Sequence, residues 1–156
     1  MTPLEIFGLQ FVMSVLVVSL IAKFYIAPWL ARKSTNDALM ILLVPHMFRH
    51  IGMSFLVPGL VGPSLAGSFA GAAAYGDLIS AFAAVICVIA LRMGWGFAII
   101  LVWLFNIVGT VDLINALRQA EVIPQLGVTW FIPTFIVPVL LVSHAMIFGR
   151  LLKKGD

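Results

Sequence analysis

Charge is what this chain has least of. Of its 156 residues, 10% are charged and 63% hydrophobic, with a mean hydropathy of +1.17. So few charges could not cover the surface of a soluble domain of this size, which excludes that class and points to a polytopic membrane protein. Cysteine is nearly absent too. Cys87 stands alone, which excludes an intramolecular disulfide and any multi-cysteine metal site, and in its apolar run it reads as a small packed hydrophobe. No basic segment precedes the first apolar stretch, which is longer than a signal core, so that stretch is expected to be a retained span. No serine sits in a Gly-x-Ser-x-Gly setting; Ser64, Ser68 and Ser80 have no evident base, which argues against a nucleophilic enzyme. The formal charge of +3 does not suggest nucleic-acid binding, because the basic residues collect at the ends of apolar segments.

What is present is a series of long apolar runs. They predict an all-α bundle of five transmembrane helices in a single domain over 1–156, with spans near 4–30, 37–57, 68–92, 95–117 and 128–152. Lys23 can snorkel to an interface, and Ser34 to Asp37 supply cap candidates for the second span. Pro45 is expected to free a backbone carbonyl near Ile41, and kinks are expected at Pro45, Pro133 and Pro138. The uncharged 58–67 segment, rich in Gly and Pro, reads as a tight or re-entrant turn. Gly67 and Gly71 open a small-xxx-small face on the third span, suited to close helix approach, with Asp77 just beyond it. Trp29, Trp95 and Trp130 fall near span ends, as interfacial residues do.

Lysine and arginine set the expected orientation. With the amino terminus outside, Lys23, Arg32, Lys33, Arg92, Arg150, Lys153 and Lys154 all fall on the cytoplasmic side, which favours N-out/C-in in a cell inner or plasma membrane. In size and five-span plan the chain resembles the tryptophan-rich translocator proteins. The resemblance is one of topology: their Trp/Pro-rich signatures are not evident, and no residue role carries over.

Against this apolar background, the stretch Pro45 to Gly52 stands out. His46, Arg49 and His50 lie inside the second span, at i, i+3 and i+4 on one expected helix face. Ionisable groups within a membrane are costly and mark a functional site, with partners to be named. Asp77 and Asp112 are the candidate partners, each alone in its span. At about 1.5 Å rise per residue, Arg49, His50, Asp77, Asp112 and Asn115 reach the outer half of the bilayer, His46 lies near its middle, and Tyr75 is close by. His144 falls in the inner half, nearer His46 than His50.

Three functions fit this pattern. A pocket of His46, Arg49, His50, Tyr75, Asp77, Asp112 and Asn115 could bind a small polar or anionic ligand, or exchange protons in transport. Alternatively, His46 and His50 with Asp77 and Asp112 could form a two-His, two-carboxylate shell for a divalent metal, or His46 and His144 could ligate a haem. Third, the charges could simply fix helix register in a structural or accessory subunit, alone, as a homo-oligomer or with a partner membrane protein.

Overall fold

The computed structural model describes residues 1–153, so Lys154, counted above among the cytoplasmic basic residues, lies outside the described residues. It contains five helices long and apolar enough to cross a membrane: α1 (Pro3–Leu30), α2 (Thr35–Leu56), α3 (Gly67–Arg92), α4 (Ala98–Leu117) and α5 (Gly127–Leu152). No strand occurs among the described residues. These bounds lie within three residues of those expected from hydropathy. Such runs become helices because, away from water, only intrasegment hydrogen bonds satisfy the backbone.

Two of the acidic side chains are used in starting helices. Thr2 and Glu5 form a reciprocal capping box, Glu5 N–H donating to Thr2 Oγ1 (3.2 Å) and Thr2 N–H to Glu5 Oε2 (2.8 Å). Ser34 caps α2 by accepting from Asp37 N–H (3.1 Å), and its own hydroxyl donates to the Asp37 carboxylate (2.7 Å).

Besides the 3₁₀ turn Gly127–Trp130 that opens α5, the backbone departs from α geometry in three places. In α1 a π turn spans Ala22–Ile26. In α2 the α-helix runs through Pro45 to Met47 and then tightens into a 3₁₀ helix, Phe48–Leu56. In α5 a π turn spans Ile132–Ile136, with Val137 N–H reaching back to Ile132 O. Pro133 lies within that wide turn and Pro138 just beyond it; neither donates a backbone hydrogen bond, which favours the looser geometry. Near Pro45, the Ser143 hydroxyl of α5 donates to Leu42 O (2.6 Å), one residue from the carbonyl expected to be freed.

The carboxy-terminal half of the bundle holds the main apolar core. Leu30, Leu39, Leu43, Ala84, Val102 and Ile147 bring all five helices into it, and Cys87 is buried there as a packed side chain. At the opposite end, the segments joining α2 to α3 and α4 to α5 lie on each other. Gly62 N–H donates to Gln125 O, and Val128 N–H to Leu60 O, both at 2.8 Å. The 58–67 segment is therefore a packed turn. Helix α1 stands at the edge, held to α5 by Phe7 edge-on to Trp130 (5.7 Å) and by Trp130 Nε1–H donating to Gln10 (2.6 Å).

Of the small-residue face expected on α3, which continues from Gly67 and Gly71 through Ala74 to Gly76, the later part is close-packed and the opening glycines are not. Gly67 and Gly71 face open space, and the close seam is made by Ala70, Ala74, Ala81 and Ala84, with Ala74 and Ala84 fully buried. Successive steps of four, seven and three residues are the helical repeat, so this alanine stripe is continuous where the two-glycine motif is not.

Candidate functional site

The 3₁₀ segment of α2 decides which polar residues meet. In a 3₁₀ helix, residues three apart eclipse one another. The buried positions of this segment are Arg49, Gly52 and Phe55, spaced by three. His46, one step before Arg49, is also fully buried. His50 is thereby turned off the inward stripe: it is exposed, and its Nδ1 contacts Met47 O of its own helix (3.0 Å). The expected shared face of 46, 49 and 50 holds only for 46 and 49, because an i, i+4 alignment belongs to the α-helix.

Arg49 is the centre of the site. Its Nε donates to Asp77 Oδ1 of α3 at 2.7 Å and its Nη2 to Asp112 Oδ2 of α4 at 2.5 Å. These are the salt bridges found among the described residues. The Arg49 side chain has no exposed surface, while Asp77 keeps 13% and Asp112 34% of theirs. One guanidinium thus binds two carboxylates that are open on their far side. With both carboxylates ionised, the formal charge of the trio is −1.

Three glycines, one on each contributing helix, make the approach possible. A Cβ at Gly52 would overlap the Asp77 carboxylate; at Gly76 it would lie 2.8 Å from Asp112 Oδ1; at Gly109 it would lie 2.8 Å from His144 Cε1. Each charged or polar group therefore rests on bare backbone.

Beyond Arg49 the polar chain continues inward. Asn106 Nδ2 donates to His144 O (3.2 Å), which directs Asn106 Oδ1 at His144 Nδ1 (2.6 Å). Because an amide oxygen only accepts, Nδ1 carries the proton, and Nε2 of the neutral ring is left as an acceptor. Nε2 and Arg49 Nη1 come up to the same face of Gly109, at 3.0 and 3.3 Å from where a Cβ would lie. Both are buried without a hydrogen-bond partner among the described residues, as are both nitrogens of His46. The His46 ring packs on His144 (centroids 4.2 Å apart) and edge-on to Phe105 (5.1 Å).

A chamber opens on the carboxylate side toward the amino-terminal end. It leaves about 60 Å³ for water-sized occupants, and Asp77 and Asp112 lie in its wall among Phe7, Phe55, Phe69, Val122, Leu126 and Ile132. That is room for a few waters or one small group. Gln119 also reaches it; Arg49 and the histidines do not.

Of the residues expected to form one pocket, His46, Arg49, Asp77 and Asp112 belong to one connected cluster. His50, Tyr75 and Asn115 are exposed on the bundle surface and lie outside it. Asn106 and His144, neither of them among the residues expected to form the pocket, join the cluster. The quartet His46, His50, Asp77 and Asp112 is not gathered, and no group of three or more His, Cys, Asp or Glu among the described residues is placed to hold a metal. His46 and His144 do meet, but as rings in contact, which leaves no room for a macrocycle between them.

The chain matches the family described as Domain of unknown function (DUF8737) over residues 6–152. Neither a curated protein nor a solved structure matches it.

Proposed function

We propose, for a chain that belongs to the DUF8737 family, that it is an integral membrane protein whose Asp77–Arg49–Asp112 trio exchanges a proton with the outer side and binds a small ligand there. The membrane is a cell inner or plasma membrane, and the chain runs N-out/C-in, as its lysine and arginine distribution favours. The chamber then faces outward, and the main apolar core lies between the trio and the cytoplasm.

One observation carries this reading: both carboxylates of a buried trio line an open chamber, while the guanidinium that balances them is wholly enclosed. Two carboxylates on one cation are one charge short of neutrality, and taking up a single proton neutralises the trio. Such coupled groups titrate as a unit, so the proton belongs to the pair. Between the two signs of ligand, the geometry favours a proton or cation over an anion, because Arg49 presents no surface to the chamber. A purely structural trio would need no open face on its carboxylates.

Infrared difference spectroscopy of the purified protein in lipid tests the reading. The expected result is a protonated-carboxyl band that grows as the pH is lowered and is lost or shifted in both Asp77→Asn and Asp112→Asn. A spectrum without any pH-dependent carboxyl band in the folded protein contradicts it.

A further inference from the structure

The walls around the carboxylates identify the class of ligand. We infer that the chamber takes a singly charged cation with a small apolar body, whose charge replaces the exchangeable proton of the Asp77/Asp112 pair. This rests on the reading above that the pair holds such a proton.

Charge comes first. The ionisable side chains lining the chamber are the two aspartates, and no lysine, arginine or histidine is among the lining residues. The positive charge that offsets them sits behind, on Arg49. An anion entering the chamber would meet two carboxylates and no donor of opposite charge, whereas a monocation restores neutrality. A dication would leave an excess charge in a site walled by hydrocarbon, which is costly.

The walls come second. Phe7, Phe55 and Phe69 come from α1, α2 and α3, and Phe55 meets Phe69 edge to face at 5.7 Å. Aromatic faces attract a cation that has shed its water, and the surrounding aliphatic side chains cover an apolar body. A strongly hydrated ion would have to lose its shell for two carboxylates and one amide, Gln119, so an organic ammonium-like cation fits better.

The exchange balances. The O–H bond of the protonated carboxyl breaks, the proton leaves through the mouth to water, and the carboxylate pairs with the incoming cation. The titratable and charged groups facing the pair are Arg49 of α2 and, behind it, His46 of α2 and His144 of α5; the lining residue from α1 is Phe7.

The test uses the full chain in neutral detergent with two ions of similar size and opposite charge, phenyltrimethylammonium and benzenesulfonate, followed by titration calorimetry. The ammonium is expected to bind at least about tenfold tighter, the equivalent of one well-placed cation–aromatic or charge contact. In weakly buffered solution with an indicator dye, it should release about one proton per cation bound when the pair starts protonated. Asp112→Asn should remove both the proton release and the charge preference. Val122→Trp, which narrows the chamber and spares every charged group, should weaken ammonium binding while the carboxyl band still titrates. Equal or tighter binding of benzenesulfonate overturns the inference, as does ammonium binding that is unchanged in Asp112→Asn. Failure of both ions to bind overturns it too: the proton-exchange reading then stands if the carboxyl band titrates and falls with it if the band is absent.

Discussion

The two halves of the bundle are built on different rules. In the carboxy-terminal half the α-helices carry an apolar core to which all five contribute, with Ala38, Leu39, Leu43, Ala84, Val102 and Ile147 fully buried. In the amino-terminal half α2 is 3₁₀, α5 passes from a 3₁₀ turn into a π turn, and the helices meet around an arginine and two aspartates instead of leucines. Apart from the π turn Ala22–Ile26 of α1, which packs on the apolar core, the irregular backbone lies with the charges and the chamber. Close packing needs only helical periodicity and complementary volume, which regular helices supply. Directing Arg49 at two carboxylates on separate helices needs a local change of helical repeat and bare backbone at Gly52, Gly76 and Gly109.

This contrast can be broken from the polar side first. Arg49→Met would leave two part-buried carboxylates without their cation, and should cost about 3 kcal/mol of unfolding free energy, the low end of the range for a buried pair because both keep an open side, read by denaturant titration in mixed micelles. Combining it with Asp77→Asn and Asp112→Asn should restore much of that loss, because paired neutral groups tolerate burial better than an uncompensated charge. Failure of the triple variant to recover would mean that the trio is not the unit that matters. Gly52→Ala comes next. Its methyl group would occupy the place of the Asp77 carboxylate, so a loss of about 3 kcal/mol is expected, at the upper end of the range for overpacking, together with loss of the carboxyl band.

Leu43→Ala probes the other half. A loss of about 2 kcal/mol is expected, at the low end of the range for a buried leucine since lipid is as apolar as the side chain removed. The carboxyl band should stay as in the wild type, and a change there would show that the halves are coupled. The smallest effects are expected at His50→Ala and Asn115→Ala, each within about 0.5 kcal/mol, because both side chains are exposed and outside the trio. A large loss of proton exchange in either would restore the wider pocket that spacing alone suggests.

The helices were legible from hydropathy because backbone satisfaction in an apolar setting leaves few choices, and the aspartate partners of Arg49 were legible because an unpaired charge there is so costly. What the sequence could not reveal was a change of helical repeat. His50 follows Arg49 directly, and an α-helix would keep it beside His46; the 3₁₀ turn carries it outward and brings Gly52 and Phe55 inward. Asn115 was misplaced in a similar way. Depth and the i, i+3 spacing put it level with Asp112 on one expected face, but three residues fall about 60° short of a full turn, and Asn115 is exposed. Asn106 and His144 carried a signal that was available: Asn106 lies eight residues after Ala98 and His144 eight before Leu152, so antiparallel helices bring them level. A pocket at the aspartates was legible, but its apolar walls were not, because α1, the segment after α4 and the π turn of α5 complete them.

Accessibility to a thiol reagent tests the one-sided arrangement most directly. In a Cys87→Ser background, Ala116→Cys places a thiol in the chamber wall and Leu43→Cys places one in the apolar core. With the protein oriented in vesicles and a membrane-impermeant reagent supplied to one face at a time, Ala116→Cys should react only from the face carrying the amino terminus, and Leu43→Cys from neither. Labelling of Leu43→Cys, or reaction of Ala116→Cys from the carboxy-terminal face, would contradict an outward-open site closed behind by an apolar core.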